Sequence, residues 1–176
     1  SGNTATCNFT VTVNDAINPT INCPGNITIN TSVASCDTIL NNIAPISSSD
    51  NCSIDSISYV LTGTTNGSGL NDASGTLFNY GTTTVSYTIT DLSGNTATCN
   101  FTVTVNDAIN QTLSCPAIIS IPCPAIVNNI APISPIDNCT IDSVSYVLTG
   151  ATTGSGLNDA SGTFFNNGIT TVTYTV

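Results

Sequence analysis

Residues 1–18, SGNTATCNFTVTVNDAIN, return without a change as residues 93–110. The second copy follows TVSYTIT (84–90) with only Asp91 and Leu92 between, so it reads as a hairpin into the last strand of a domain. The first copy has no domain ahead of it in the sequence. Three further blocks repeat: NNIAPIS at 41 and 128, YVLTG at 59 and 146, and GSGLNDASGT at 67 and 154. Their offset is 87, against 92 for the opening block. The five-residue difference falls in one connection, where CPGNITINTSVASC (23–36) becomes CPAIISIPC (115–123), and length changes of that kind are tolerated in surface loops. Carried forward, the offset places Val176 opposite Ile89, three residues short of a fresh SGNTATC. The expectation is two repeats, circularly permuted relative to the chain ends. Residues 15–106 form one complete repeat, residues 107–176 form one lacking its last strand, and residues 1–14 are such a last strand.

The apolar pattern has period two rather than 3.6. Val85, Tyr87 and Ile89 point one way, as do Cys99, Phe101, Val103 and Val105, with Thr, Ser and Asn alternating between them. NITIN, IDSISYVL and TTVTYTV continue the alternation, separated by clusters of Gly, Asn, Asp and Pro. Seven or so short strands in roughly 90 residues predict an all-β fold of antiparallel sandwiches.

The chain carries 10 Asp and no Lys, Arg or His, a net charge of -10 with no internal counter-charge. Phosphate neutralisation by basic side chains is therefore unavailable, which excludes nucleic acid as a partner. Anionic membrane surfaces are excluded on the same ground, and no apolar run approaches the roughly 20 residues of a spanning helix. Asp and Asn oxygens are hard ligands suited to calcium. Asp15, Asp50, Asp91, Asp107 and Asp137, several of them beside Asn14, Asn51, Asn106 or Asn138, fall at predicted junctions and are the candidate ligands. Eight cysteines without histidine point to disulfides and an oxidising, extracellular or cell-surface setting rather than to zinc.

CPGNITI, then AP leading to DNC, then GTTTVSYTITDLSGNTATCNFTVTV resemble, in that order, the hyalin repeat (HYR) family, an immunoglobulin-like module of extracellular proteins. The resemblance implies tandem immunoglobulin-like sandwiches with structural or adhesive roles and no catalytic residues. It also implies disulfide pairs: Cys23 with Cys99, joining first and last strands, Cys36 with Cys52, and Cys123 with Cys139. Cys115 and Cys7 are then left over. Residues 1–14 would fill the vacancy in residues 107–176 of a neighbouring copy, where Phe9, Val11 and Val13 complete the core and Cys7 bridges to Cys115. A strand of about ten residues spans about 33 Å, enough for the length of such a domain. Strand exchange between separate subunits, one continuous tandem chain and an arbitrary fragment of a longer protein all remain open at this level.

An enzyme is not expected, since a Ser or Cys nucleophile would have no His, Lys or Glu as base. Asn-x-Ser/Thr sequons stand at Asn8, Asn26, Asn30, Asn51, Asn66, Asn100, Asn110 and Asn138, and Thr38, Ser56 and Ser143 are the central residues of DTI, DSI and DSV triplets of the kind that carry O-linked sugars. The expected function is mechanical: a repeat unit of an extracellular filament or giant surface adhesin, without trypsin sites, whose partners are further copies of itself. The competing function is a calcium-dependent module that binds surface glycans.

Overall fold

The computed structural model describes all 176 residues and contains strands but no helix. In chain order the strands are β1 (Thr20–Asn22), β2 (Ile27–Asn30), β3 (Asp37–Leu40), β4 (Ser47–Ser49), β5 (Ile54–Gly63), β6 (Gly67–Leu70), β7 (Thr76–Asn79), β8 (Gly81–Asp91) and β9 (Thr96–Asn106). They continue with β10 (Thr112–Ser114), β11 (Ala125–Val127), β12 (Ile133–Ile136), β13 (Ser145–Gly150), β14 (Gly154–Leu157), β15 (Thr163–Phe165) and β16 (Thr170–Thr175). The chain divides into two compact units: Ser1–Ile29 with Ile39–Val105, and Asn30–Thr38 with Asn106–Val176. The segment Asn30–Thr38, which the repeat pattern assigned to the first body, thus belongs to the second unit.

The first unit is built on a five-stranded sheet in the order β2-β9-β8-β5-β6, accompanied by the pairs β1-β4 and β3-β7. Alternation makes the central strands. Val85, Tyr87 and Ile89 on β8 and Phe101, Val103 and Val105 on β9 are buried, while the Thr, Ser and Asn residues between them are more exposed. Their register sets Tyr87 against Cys99, Val85 against Phe101, Thr83 against Val103 and Gly81 against Val105. The β8–β9 hairpin turns at Leu92–Asn95. Asp91 caps it by accepting from the Ser93 and Asn95 backbone N–H groups, each at 2.8 Å, and from the Asn95 amide at 2.7 Å. Gly94 holds φ at 89° in this turn, a left-handed conformation that a side chain would strain.

Phe78, Ile43, Leu61 and Ala73 close the core around Tyr87. The Tyr87 hydroxyl donates to the Ile43 carbonyl at 3.0 Å and accepts from the Ala73 N–H at 2.9 Å, so one side chain ties two loops to the sheet. Burial pushes its ionisation upward, which keeps the hydroxyl available as a donor. Tyr174 repeats the device in the second unit, donating to Ile130 at 2.6 Å and accepting from Ala160 at 3.1 Å. Tyr87→Phe leaves a buried carbonyl and a buried N–H without partners; urea titration is expected to show a loss of about 1–3 kcal/mol per orphaned group.

The second unit has a smaller main sheet, β14-β13-β16, with the pairs β10-β12 and β11-β15. β16 corresponds to β8 in the repeat, but it ends the sheet: neither a β9 nor a β2 counterpart lies beside it.

Candidate assembly site

Because β16 is an edge strand, its inner residues stay open. Val172 and Thr170, whose counterparts Val85 and Thr83 are fully buried, are only half-buried. They border a groove of about 720 Å³ that is also lined by Tyr174, Cys115, Ile119 and Ile121. Ile119 and Ile121 are the repeat counterparts of Ile27 and Ile29. Those two lie on β2, beside β9, and pack against the first unit's core. In the second unit no strand forms between residues 118 and 121. The groove therefore lies between the counterparts of β8 and β2, the two strands that flank β9 in the first unit.

Residues 1–14 are the converse. They form no strand in the structure, and Phe9, Val11 and Val13 are 86%, 72% and 90% exposed. The identical residues Phe101, Val103 and Val105 are 2%, 1% and 1% exposed. Sequence alternation identifies an inner face in both copies; only one of them has a core to cover.

Two disulfides are present. Cys23 joins Cys99, with Cα atoms 5.6 Å apart, and so ties the end of β1 to β9. Cys36 joins Cys139, with Cα atoms 4.7 Å apart. This corrects the expected pairs Cys36–Cys52 and Cys123–Cys139. The reason lies in the path of residues 30–38 within the second unit. The Thr31 N–H donates to the Asn106 carbonyl at 2.8 Å, and the Thr31 hydroxyl to Asp107 at 3.2 Å. The Asn138 amide lies 3.0 Å from the Thr31 hydroxyl and donates to the carbonyls of Ser32 and Ser35 at 3.0 and 3.3 Å. Together these set Cys36 against Cys139. The sequence carries one trace of this arrangement: Thr31–Ser35 is the stretch missing from the second repeat. Cys7, Cys52, Cys115 and Cys123 are exposed thiols.

The acidic candidates gather in two corners. In the first unit, carboxylate oxygens of Asp15, Asp50 and Asp91 lie within 4.8 Å of one another. Asp91 is committed to its hairpin, but Oδ2 of Asp15 and Oδ1 of Asp50 are shielded from solvent without a hydrogen-bond partner. The Ile17 N–H, then the Asn51 and Cys52 side chains, lower the pKa of Asp15. The neighbouring Asp15 in turn, with burial and the charges of Asp50 and Asp91, raises the pKa of Cys52. Alkylation of Cys52 at mildly alkaline pH is therefore expected to be several-fold slower in the folded chain than in the urea-unfolded chain, and Asp15→Asn to recover part of that rate. In the second unit Asp107 and Asp137 group with Cys139, whose sulfur is already in a disulfide and offers no thiolate to a metal.

Of the sequon residues, Asn8, Asn26, Asn30, Asn51, Asn66, Asn100 and Asn110 are exposed. Asn138 is half-buried, with its amide engaged by the loop of residues 31–35. Ser143 is exposed, and Thr38 and Ser56 are half-buried.

Residues 14–105 match the HYR domain family. The matched stretch runs from the residue after Val13 to the last core residue of β9. No curated protein matches the chain significantly. HYR domains are non-catalytic repeats typical of extracellular, adhesion-related proteins, in keeping with the disulfides. Matched over more than half its length, and on the unit whose core is complete, the chain belongs to the HYR domain family.

Proposed function

We propose that this protein is a structural repeat unit of an extracellular filament or giant cell-surface adhesin, assembled head-to-tail by strand complementation. The groove of the second unit takes a strand with the sequence of residues 1–14 from the next unit. The sandwich order is thereby permuted relative to the chain ends. The observation that supports this reading is the contrast between one sequence in two states, buried as β9 and exposed as residues 1–14, in a chain that also carries a groove where β9 would fit. Transferring the β8–β9 register sets Tyr174 against Cys7, Val172 against Phe9, Thr170 against Val11 and Gly168 against Val13. Cys7 and Cys115 then meet as Cys99 and Cys23 do. A strand added to an open edge satisfies backbone groups on both sides, and a head-to-tail contact that does not close on itself propagates a fibre.

A denaturing gel of native material with and without reductant tests the assembly. A ladder that collapses to single units on reduction means separate subunits joined through Cys7 and Cys115. A very large band that survives reduction means a continuous tandem chain making the same strand contacts. A single-unit band without reductant overturns the bridge.

The second reading, a calcium-dependent glycan-binding module, draws on the unpartnered oxygens of Asp15 and Asp50, in a chain with no cationic side chain to neutralise them. On that reading, calcium at about five times its Kd raises the melting midpoint of the first unit by roughly 4–8 °C, and Asp50→Asn removes the shift. Equal melting in calcium and in chelator sinks it.

A further inference from the structure

The repeat relates Cys36 to Cys123, Cys52 to Cys139, Asn51 to Asn138, Asp50 to Asp137 and Asp15 to Asp107. In the second unit, the corner formed by Asp107, Asn138 and Cys139 is occupied: the loop of residues 30–38 lies on it and Cys36 is bonded to Cys139. In the first unit the equivalent corner has the same residues and no loop. Cys52 is an exposed thiol there, the Asn51 amide turns back to Asp15 at 3.2 Å, and a depression of about 420 Å³ lies between Ile17, Cys52 and Ser93. The counterpart of the loop tip, Pro122–Cys123, is exposed in the second unit, with Cys123 unbonded.

We propose that the Asp15–Asn51–Cys52 corner is the docking site for the Pro122–Cys123 tip of a second copy, closed by a disulfide between Cys52 and Cys123. This rests on the strand-complementation reading and identifies which neighbour is involved. Asn14 leads directly into Asp15, as Asn106 leads into Asp107. In the occupied corner the loop is anchored on that strand-end residue, through Thr31 to the Asn106 carbonyl. The copy whose groove accepts residues 1–14 is therefore the copy that presents Cys123 to Cys52. Each junction then carries two bridges, Cys7–Cys115 and Cys52–Cys123, and all eight cysteines are paired.

The shorter loop is compatible with this. The missing residues Thr31–Ser35 form a turn that leaves and returns, closed by an isolated bridge between Ser32 and Ser35 and by the Ser35 N–H to Ser32 carbonyl bond at 3.4 Å. Without them, Cys123 follows Pro122 where Cys36 would follow Asn30. The hydrogen bonds that Asn138 makes to Thr31, Ser32 and Ser35 have no counterpart at Asn51, so the junction between copies leans on its disulfide more than the corner within the chain does.

In forming the bridge, the two thiols lose their hydrogens and one S–S bond is made. The two electrons and two protons reduce the disulfide of an exchange partner, a small-molecule disulfide or a dithiol oxidoreductase of an oxidising compartment, to two thiols.

The test mixes isotopically light and heavy full-length chains in a small-molecule thiol–disulfide couple, alkylates the remaining thiols, digests with pepsin at acid pH to suppress exchange, and maps bridged peptides by mass spectrometry. Mixed light–heavy peptides joining Cys52 to Cys123, beside mixed Cys7–Cys115 peptides, are the expected result. Mixed Cys7–Cys115 peptides with Cys52 and Cys123 alkylated, or bonded within one chain, overturn this inference and leave strand complementation standing. The absence of any mixed peptide overturns both bridges, and this inference with them.

Discussion

On the strand-complementation reading, Val11→Asp is expected to leave the chain folded and to abolish head-to-tail assembly. Residue 11 is exposed in the unassembled chain, so the substitution touches no core there. In the proposed assembly it would take the place that Val103 holds against Thr83 in the first unit, where the side chain is 1% exposed. The loss combines about 1.5–3 kcal/mol of valine burial with the cost of drawing a carboxylate into an apolar groove. No cation of this chain is available to pair with that carboxylate, because it has no Lys, Arg or His. Together these weaken assembly at least about a thousandfold, the equivalent of roughly 4 kcal/mol. Light scattering and electron microscopy should find fibres of the parent and single units of the variant at the same concentration. Fibres of the variant at the parent's concentration would mean that residues 1–14 are not the groove's occupant.

Phe101→Ala and Phe9→Ala change the same residue in the same local sequence, and their effects are expected to be far apart. Phe101 is enclosed and stacks on Tyr87 with ring centroids 6.5 Å apart. Its truncation opens a cavity and costs the first unit about 3–5 kcal/mol, read by urea denaturation of the unassembled chain. Phe9→Ala in the same state should lie within about 0.5 kcal/mol of the parent, as surface changes do. It should weaken only assembly. Equal losses from both substitutions would mean that residues 1–14 already lie in a core before any partner arrives.

The strands of the first unit are legible in the sequence because side-chain direction alternates along a strand whatever surrounds it. Val85, Tyr87 and Ile89, with Phe101, Val103 and Val105, declare their inner face through spacing alone. The β8–β9 hairpin is equally local, needing only Asp91, Ser93, Gly94 and Asn95. The pairing of Cys36 is not local. The family resemblance implied Cys52 as its partner, whereas the bond goes to Cys139, 103 residues away, because the turn of Thr31–Ser35 is held by Asp107 and Asn138. Loop contacts of that kind depend on which surface the chain meets, and a repeat alignment carries no record of it beyond a length difference.

The sequence by itself determined the all-β class, the repeat, the inward faces and the absence of any basic counter-charge, since all of these follow from residue order and local geometry. Only the tertiary structure decided that Cys36 bonds to Cys139, and that Phe9 lies in solvent while Phe101 lies in a core. Identical residues cannot encode that difference. Burial is a property of the edge a strand finds beside it, and residues 1–14 pair with no edge in the folded chain.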